Sequence, residues 1–489
     1  MSTESPPSRS RRFFRSWWVR YLLLSVVFVV VVYLVNDWRW QKKWAVYETD
    51  ARARGVKIYL PEYDRSAEVP DADNFATTPL WKEVFAKEGK GPRATRLKKA
   101  SELGQKLSEK SKPGSRPPRK NLANWRASLA LNKESAKSDA SVTDAAAVLR
   151  GLEFVQPELD ELRDGLKRSQ CFFPKNFASI SDMPYAHFSV FQSAAKLFSL
   201  RSFARLSNGD GAGALDDIRS IFGLAGKLES EPTLIAGLVE LFIVSRACQT
   251  ISDGMDTGRW SEDQLREIEA LVAGVNLIQR HLFSMQSERT YLNSIFAEYI
   301  VNGSRQRHRP LGAPTGLHWL IERYICSRSY VLRNQLWMNS AFDEELSMWD
   351  PAKEQWNPRK RLYSANQLEA SWKKYSFFHV ILNGFVYESA GNRALELHAK
   401  LRMAGLACAL ERYSMARGSY PEKLALLVPD FVATIPHDPC DGQPFRYRLA
   451  PDGYLLYSVA INRKDDDGKL STNDSSSDPD WRWWSPLKE

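Results

Sequence analysis

The 489-residue sequence has only five Cys, and no two stand in a CxxC pair. Five thiols cannot staple a chain of this length, so a disulfide-built scaffold is excluded. The common catalytic signatures are missing too: there is no GxSxG elbow, no Walker A loop, no GxGxxG turn and no HExxH pair. Their absence removes the motif-based case for a serine hydrolase, a nucleotide-binding loop, a dinucleotide fold or a zinc protease. The seven His (187, 281, 308, 318, 379, 398 and 437) show no metal-ligand spacing and are expected as surface or core residues. Glycine, at 26 residues, is too scarce for a collagen-like chain, and 12% aromatic content is too rich for a disordered one.

Against these absences stands charge of one sign. Lys and Arg exceed Asp and Glu by 68 to 58, a formal +10. A basic balance first suggests nucleic acid or an anionic membrane. The excess is local, however. Residues 1 to 20 carry a net +4, and residues 82 to 137 carry sixteen basic residues against five Glu, a net +11. Taking +4 and +11 from +10 leaves −5 for the rest, which argues against nucleic acid as a partner.

The first basic patch abuts the one long apolar run, Tyr21 to Val35, which Trp17, Trp18 and Val19 extend across Arg20. Nineteen residues rise about 28 Å as a helix, close to a hydrocarbon core of about 30 Å. Arg20 can snorkel to the headgroups. Trp17 and Trp18 at one end, with Trp38, Trp40 and Trp44 at the other, suit the two interfaces. The basic N-terminal flank predicts a cytoplasmic N-terminus and an exported bulk. A cleaved signal peptide is the competing expectation, but no small-x-small site directly follows the run. The shorter apolar stretch Leu234 to Ser245 contains Glu240 and predicts a buried helix.

Residues 36 to 140 have weak patterning, and Lys110 to Lys120 is broken by prolines. A basic, poorly ordered spacer is expected there, with a polybasic arm for anionic polymer as the alternative. Residues 141 to 388 predict an irregular helical domain. His187 to Leu206 has apolar residues at helical spacing, and Ser261-Glu-Asp-Gln264 is a capping box opening the next helix. The pattern from Ala195 to Ala214 is similar to one tetratricopeptide-type hairpin, but no second copy follows, so no solenoid is expected.

From residue 389 the texture changes. A helix from Ala394 to Arg417 ends at Gly418-Ser-Tyr-Pro421, and turn-rich Ile435 to Pro444 leads into Phe445 to Leu449 and Tyr454 to Ile461, joined by Ala450-Pro-Asp-Gly453. An acidic loop with Asp465, Asp466, Asp467 and Asp474 follows, then the tail Trp481, Trp483 and Trp484. The sequence thus predicts a mainly α fold: a transmembrane helix over 17–35, a helical domain, and a small α+β module over 389–489.

The motifs Gly418-Ser-Tyr-Pro421, Ile435-Pro-His-Asp-Pro439, Gly442-Gln-Pro-Phe-Arg-Tyr447, Gly453-Tyr-Leu-Leu-Tyr-Ser458 and Asp465-Asp-Asp-Gly468 resemble, in order and spacing, the soluble domain of the major pseudopilin of type II secretion systems. The resemblance covers about residues 394 to 470 and implies a pilin-like fold with calcium in the acidic loop. It departs from the family in two ways: no prepilin-peptidase site is present, and the anchor ends near Val35, far ahead of the similar helix. It therefore implies a module reused on a larger membrane-anchored protein rather than a filament subunit. An EF-hand register is excluded, because Arg463 would occupy its first ligand position. A solvated loop is the plainer alternative to a calcium site built from Asp465, Asp466, Asp467 and Asp474.

Two expectations attach to the Trp tail: it folds back over the small sheet, or it docks a partner. Three SxxK matches, at Ser193, Ser371 and Ser485, lack the accompanying SDN and KTG motifs and are expected by chance. The functional expectation is a non-catalytic scaffold or interaction component of the cell envelope, with partners among the inner membrane and envelope proteins. The alternatives are an envelope hydrolase whose site forms only in three dimensions, and an adaptor that holds anionic polymer on residues 82 to 137.

Overall fold

The computed structural model describes residues 9–103, 120–132, 134, 141–175, 184–302, 328–358, 384–451, 453–469 and 480–483. Its helices run α1 Arg9–Ala53, α2 Pro79–Ala86, α3 Pro92–Glu102, α4 Leu122–Ala130, α5 Asp144–Gly151 and α6 Gln156–Gly165. They continue as α7 Ala186–Ser207, α8 Gly211–Lys227, α9 Leu234–Met255, α10 Glu262–Ala273 and α11 Leu277–Asn302. After these come α12 Arg328–Leu346 and α13 Gly384–Arg417. Strands β1 Trp349–Asp350 and β2 Gln355–Trp356 form one antiparallel pair, and β3 Arg446–Ala450, β4 Gly453–Ser458 and β5 Trp481–Arg482 form an antiparallel sheet in that order. The described chain is mainly helical with two small sheets.

The chain divides into two compact units, one of Met1–Glu62, Leu292–Asp343 and Tyr363–Leu382, the other of Tyr63–Tyr291, Glu344–Leu362 and Asn383–Glu489. The first unit contains α1, whose stretch from Trp17 to Val35 is exposed along its whole length apart from any membrane. The helix does not stop at Val35, where the spacer was expected to begin. It runs on to Ala53 because no Gly or Pro interrupts it and the pairs Glu48–Arg52 and Asp50–Arg54 sit four residues apart. Gly55, at φ +75°, ends it, and the Val56 amide donates to the Ala51 carbonyl in a Schellman turn. Trp44, Ala51, Ile58 and Leu332 make a small apolar cluster. Beside it lies a polar network: Asn293 donates to Asn339, Gln335 donates to Asn293, and the Tyr47 hydroxyl donates to Asn339 and Asp343.

In the second unit, α7, α8 and α9 form the centre. Asp210 caps α8 by accepting from the Gly213 amide, Thr233 caps α9 by accepting from Ala236, and Ser261 and Gln264 close the expected capping box on α10. Helix α9 is apolar enough to span a membrane, but 67% of its most apolar stretch is buried, so it is a core helix, as its Glu240 suggested. The expectation of a spacer over 36–140 is corrected for the described residues between Phe75 and Glu102. Trp81 of α2 is fully buried among Phe75, Phe173 and Phe191, and Leu97 of α3 joins the same core. Charged residues separate these apolar positions in sequence, but at helical spacing they fall on one face. The segment Lys110 to Lys120 lies outside the described residues except for Lys120, whose ammonium reaches Asp253 at 2.7 Å.

His187 opens α7 against aromatic rings, 4.4 Å from Phe173 and 4.1 Å from Phe188, and neither ring nitrogen has a hydrogen-bond partner among the described residues. Burial pushes its pKa down to about 3. The folded state therefore refuses a proton that the unfolded chain takes near pH 6.5, so stability is lost as pH falls from about 6.5 towards 3. Replacement His187→Phe should raise the thermal midpoint more at pH 5 than at pH 8. An equal gain at both pH values would contradict this origin of acid sensitivity.

Candidate functional site

The C-terminal module starts from α13. Gly418, at φ +79°, supplies the left-handed residue that ends the helix, and its amide donates to the Ser414 carbonyl. Strand β3 pairs with β4 in the register Tyr447 to Leu456, and all six residues of β4 are buried. Strand β5 extends the sheet by pairing Ser458 with Trp481, and the Trp483 amide donates to the Leu456 carbonyl at 2.9 Å. This register buries Trp483, which is 2% exposed, and leaves Trp481 half-buried. The docking expectation is thereby corrected for Trp483: its ring is part of the core and cannot meet a partner. Trp484 lies outside the described residues.

Asp438, from the turn-rich stretch, is fully buried. Its Oδ1 accepts from the Cys440 amide and the Ser458 hydroxyl, and its Oδ2 accepts from the Val459 amide. Burial raises its pKa, and these donors oppose the rise. One carboxylate thus fixes the turn against the end of β4. Both its oxygens accept from these two amides and one hydroxyl, which makes it a staple of the turn.

A second carboxylate ties the β1–β2 hairpin to α13. Glu354 stands at φ +52°, a conformation that L side chains adopt only under constraint. The constraint is Arg402, which donates from Nε to Oε2 at 2.7 Å and from Nη2 to Oε1 at 2.5 Å. The same guanidinium donates to the carbonyls of Val272 and Val275, closing the C-terminal end of α10. Buried His398 lies 3.2 Å from Glu354 through Nε2. Burial lowers the His398 pKa, so the neutral ring donates to the carboxylate. Burial alone would raise the Glu354 carboxyl, but hydrogen bonds from His398 and Arg402 outweigh it and hold the pKa at about 2.

The acidic loop is organised by hydrogen bonds. Asp465 accepts from the Tyr457 hydroxyl and the Asp467 amide, and Asp466 accepts from Asn462. Asp480, which sequence reasoning passed over, accepts from the amides of Asp466 and Gly468 and is nearly fully buried. Asp474 lies outside the described residues. Among the described residues no three carboxylate, imidazole or thiol groups converge as a metal would require.

Other chemistry-bearing groups are accounted for by packing. Buried Glu240 pairs with Arg280, and burial raises its pKa to about 7. The cleft these two share with His281 has a cavity volume of about 10 Å³, room for roughly one water molecule. Burial alone lowers the His281 pKa to about 4. Cys248, Cys408 and Cys440 are free and buried, and Cys171 is free and half-buried. Cys326 and the SxxK matches at Ser371 and Ser485 lie outside the described residues. Comparison of the chain with family models, curated proteins and solved structures finds no match.

The Glu354 clamp makes a pH-dependent contribution. Its folded pKa lies below the unfolded value of 4.5, so the stabilisation is present above pH 4.5 and is lost as pH falls towards about 2. Glu354→Gln should lower the thermal midpoint at pH 7 and have little effect at pH 2. A loss of the same size at both pH values would contradict the charge-based clamp.

Proposed function

We propose that the protein is a single-pass inner-membrane protein whose N-terminus is cytoplasmic and whose bulk is periplasmic. In this reading it serves as a non-catalytic scaffold of the cell envelope. The observation that carries the reading is α1. An 18-residue window of this helix has a mean hydropathy of 2.4 and no burial within the protein, and the helix continues unbroken to Ala53. Lipid is the solvent that such an apolar surface requires. The basic residues ahead of it favour retention of the N-terminus in the cytoplasm.

The interaction role is read from the C-terminal module. Leu426, Val428 and Leu449 are exposed there at 52%, 39% and 45%, apolar side chains left in solvent by a segment whose Leu424, Leu427 and Phe445 are buried. Such residues suit contact with another envelope protein. The likeness of the surrounding motifs to a pseudopilin supports secretion or pilus-like machinery as the setting. In mild detergent the full chain should migrate as a complex larger than one chain in its micelle. Leu426→Glu combined with Val428→Glu should reduce the complex to a single chain without lowering the thermal midpoint. A wild-type chain that migrates alone would contradict the scaffold reading.

A further inference from the structure

Burial of charge in the second unit follows one rule. Arg201 meets Asp217 at 2.6 Å, Lys175 meets Glu231 at 2.8 Å, and Arg412 meets Glu269 at 2.8 Å. Lys196 on α7 and Arg246 on α9 break it. Both are half-buried, and neither makes an ion pair or a side-chain hydrogen bond among the described residues. The Arg246 Nε is shut away from solvent with no acceptor among the described residues. The two cations share one ring: Lys196 Nζ lies 5.7 Å and the Arg246 guanidinium 5.4 Å from the centre of Phe242.

Among the described residues, carboxylates offset these charges only in part. Asp253, whose charge Arg246 feels, is engaged by Lys120 at 2.7 Å, and Glu102, whose charge Lys196 feels, is exposed. Arg393, exposed on α13, adds a third positive charge to the field at Arg246. Burial lowers the pKa of both Lys196 and Arg246; the Arg246 charge adds to the fall at Lys196, and the Arg393 charge adds to the fall at Arg246. Partial burial of a cation without an ion-pair partner is unfavourable, and a shared aromatic ring offsets it only in part.

We propose that Lys196 and Arg246 form the floor of a binding site for a phosphate group, flanked by Phe242 and supported by Arg393. A doubly charged phosphate matches two to three positive charges better than a single carboxylate does. A guanidinium fork beside a point-charge ammonium is the residue pair that phosphate oxygens accept from most effectively. The phosphate can belong to a small soluble ester or to a lipid headgroup, because either presents the same oxygens. The site stands on α7 and α9 and is independent of the scaffold reading.

The test uses the full chain in detergent, with thermal unfolding followed in inorganic phosphate, glycerol phosphate, acetate and chloride at equal ionic strength. It is repeated in nanodiscs of phosphatidylcholine with and without phosphatidylglycerol. The expected result is a saturable rise in midpoint with phosphate or glycerol phosphate, identifying a soluble ester, or only with phosphatidylglycerol, identifying a headgroup. In either case Lys196→Met with Arg246→Met should abolish the rise. Without ligand, that variant should be at least as stable as the wild type, because the repulsion is gone. A Lys464→Met control should keep the full response. The proposal is overturned if neither source stabilises the wild type beyond acetate and chloride, or if the double variant responds as the wild type does.

Discussion

The second unit depends on how α13 is held. Leu397, Leu401, Ala404 and Cys408 are buried in the same core as Ile268 and Val272 of α10 and Val244 and Cys248 of α9. Arg402 fixes the helix from its polar side by joining Glu354 of the hairpin to the carbonyl end of α10. The pair is part-buried, with the Glu354 side chain 33% exposed, so removing one partner costs less than the roughly 3–5 kcal/mol typical of a fully buried pair. With α13 placed, β4 has a surface to bury, and Asp438 and Trp483 can close the small sheet over it.

This arrangement changes what the C-terminal residues are. In sequence they suggest a detachable module beginning near residue 389. In the structure α13 serves two masters: it is the spine of the small sheet and a core helix for α9 and α10. A module whose long helix is shared cannot swing on a linker, which suits a part that presents a fixed surface. The long apolar N-terminal helix is legible on its own terms, since Trp17 to Val35 needs no partner from the chain to be read.

What the sequence made legible, and what it did not, follows from the range of the interactions. The capping box at Ser261, the Gly418 stop, the hairpin at Ala450 to Gly453 and the buried character of α9 are local, and each was readable in a window of a few residues. The basic stretch misled because net charge hides phase: Leu80, Trp81, Val84, Ala94 and Leu97 are separated by charged residues yet all reach the core. The Glu354 to Arg402 tie spans 48 positions, and Lys120 to Asp253 spans 133. Pairings at that distance leave no periodic trace. The same holds for Lys196 and Arg246, where an ordinary SxxK match concealed an unpaired cation.

The central claim is that the C-terminal helix and sheet fold as one body with α9 and α10. Native-state hydrogen exchange on the full chain in detergent measures this directly. Amides of residues 397–410 and 454–458 should share the opening free energy and denaturant dependence of those in residues 243–251 and 265–272. If residues 397–458 exchange together as a separate, less stable block while α9 and α10 stay protected, the module is detachable and the account is wrong.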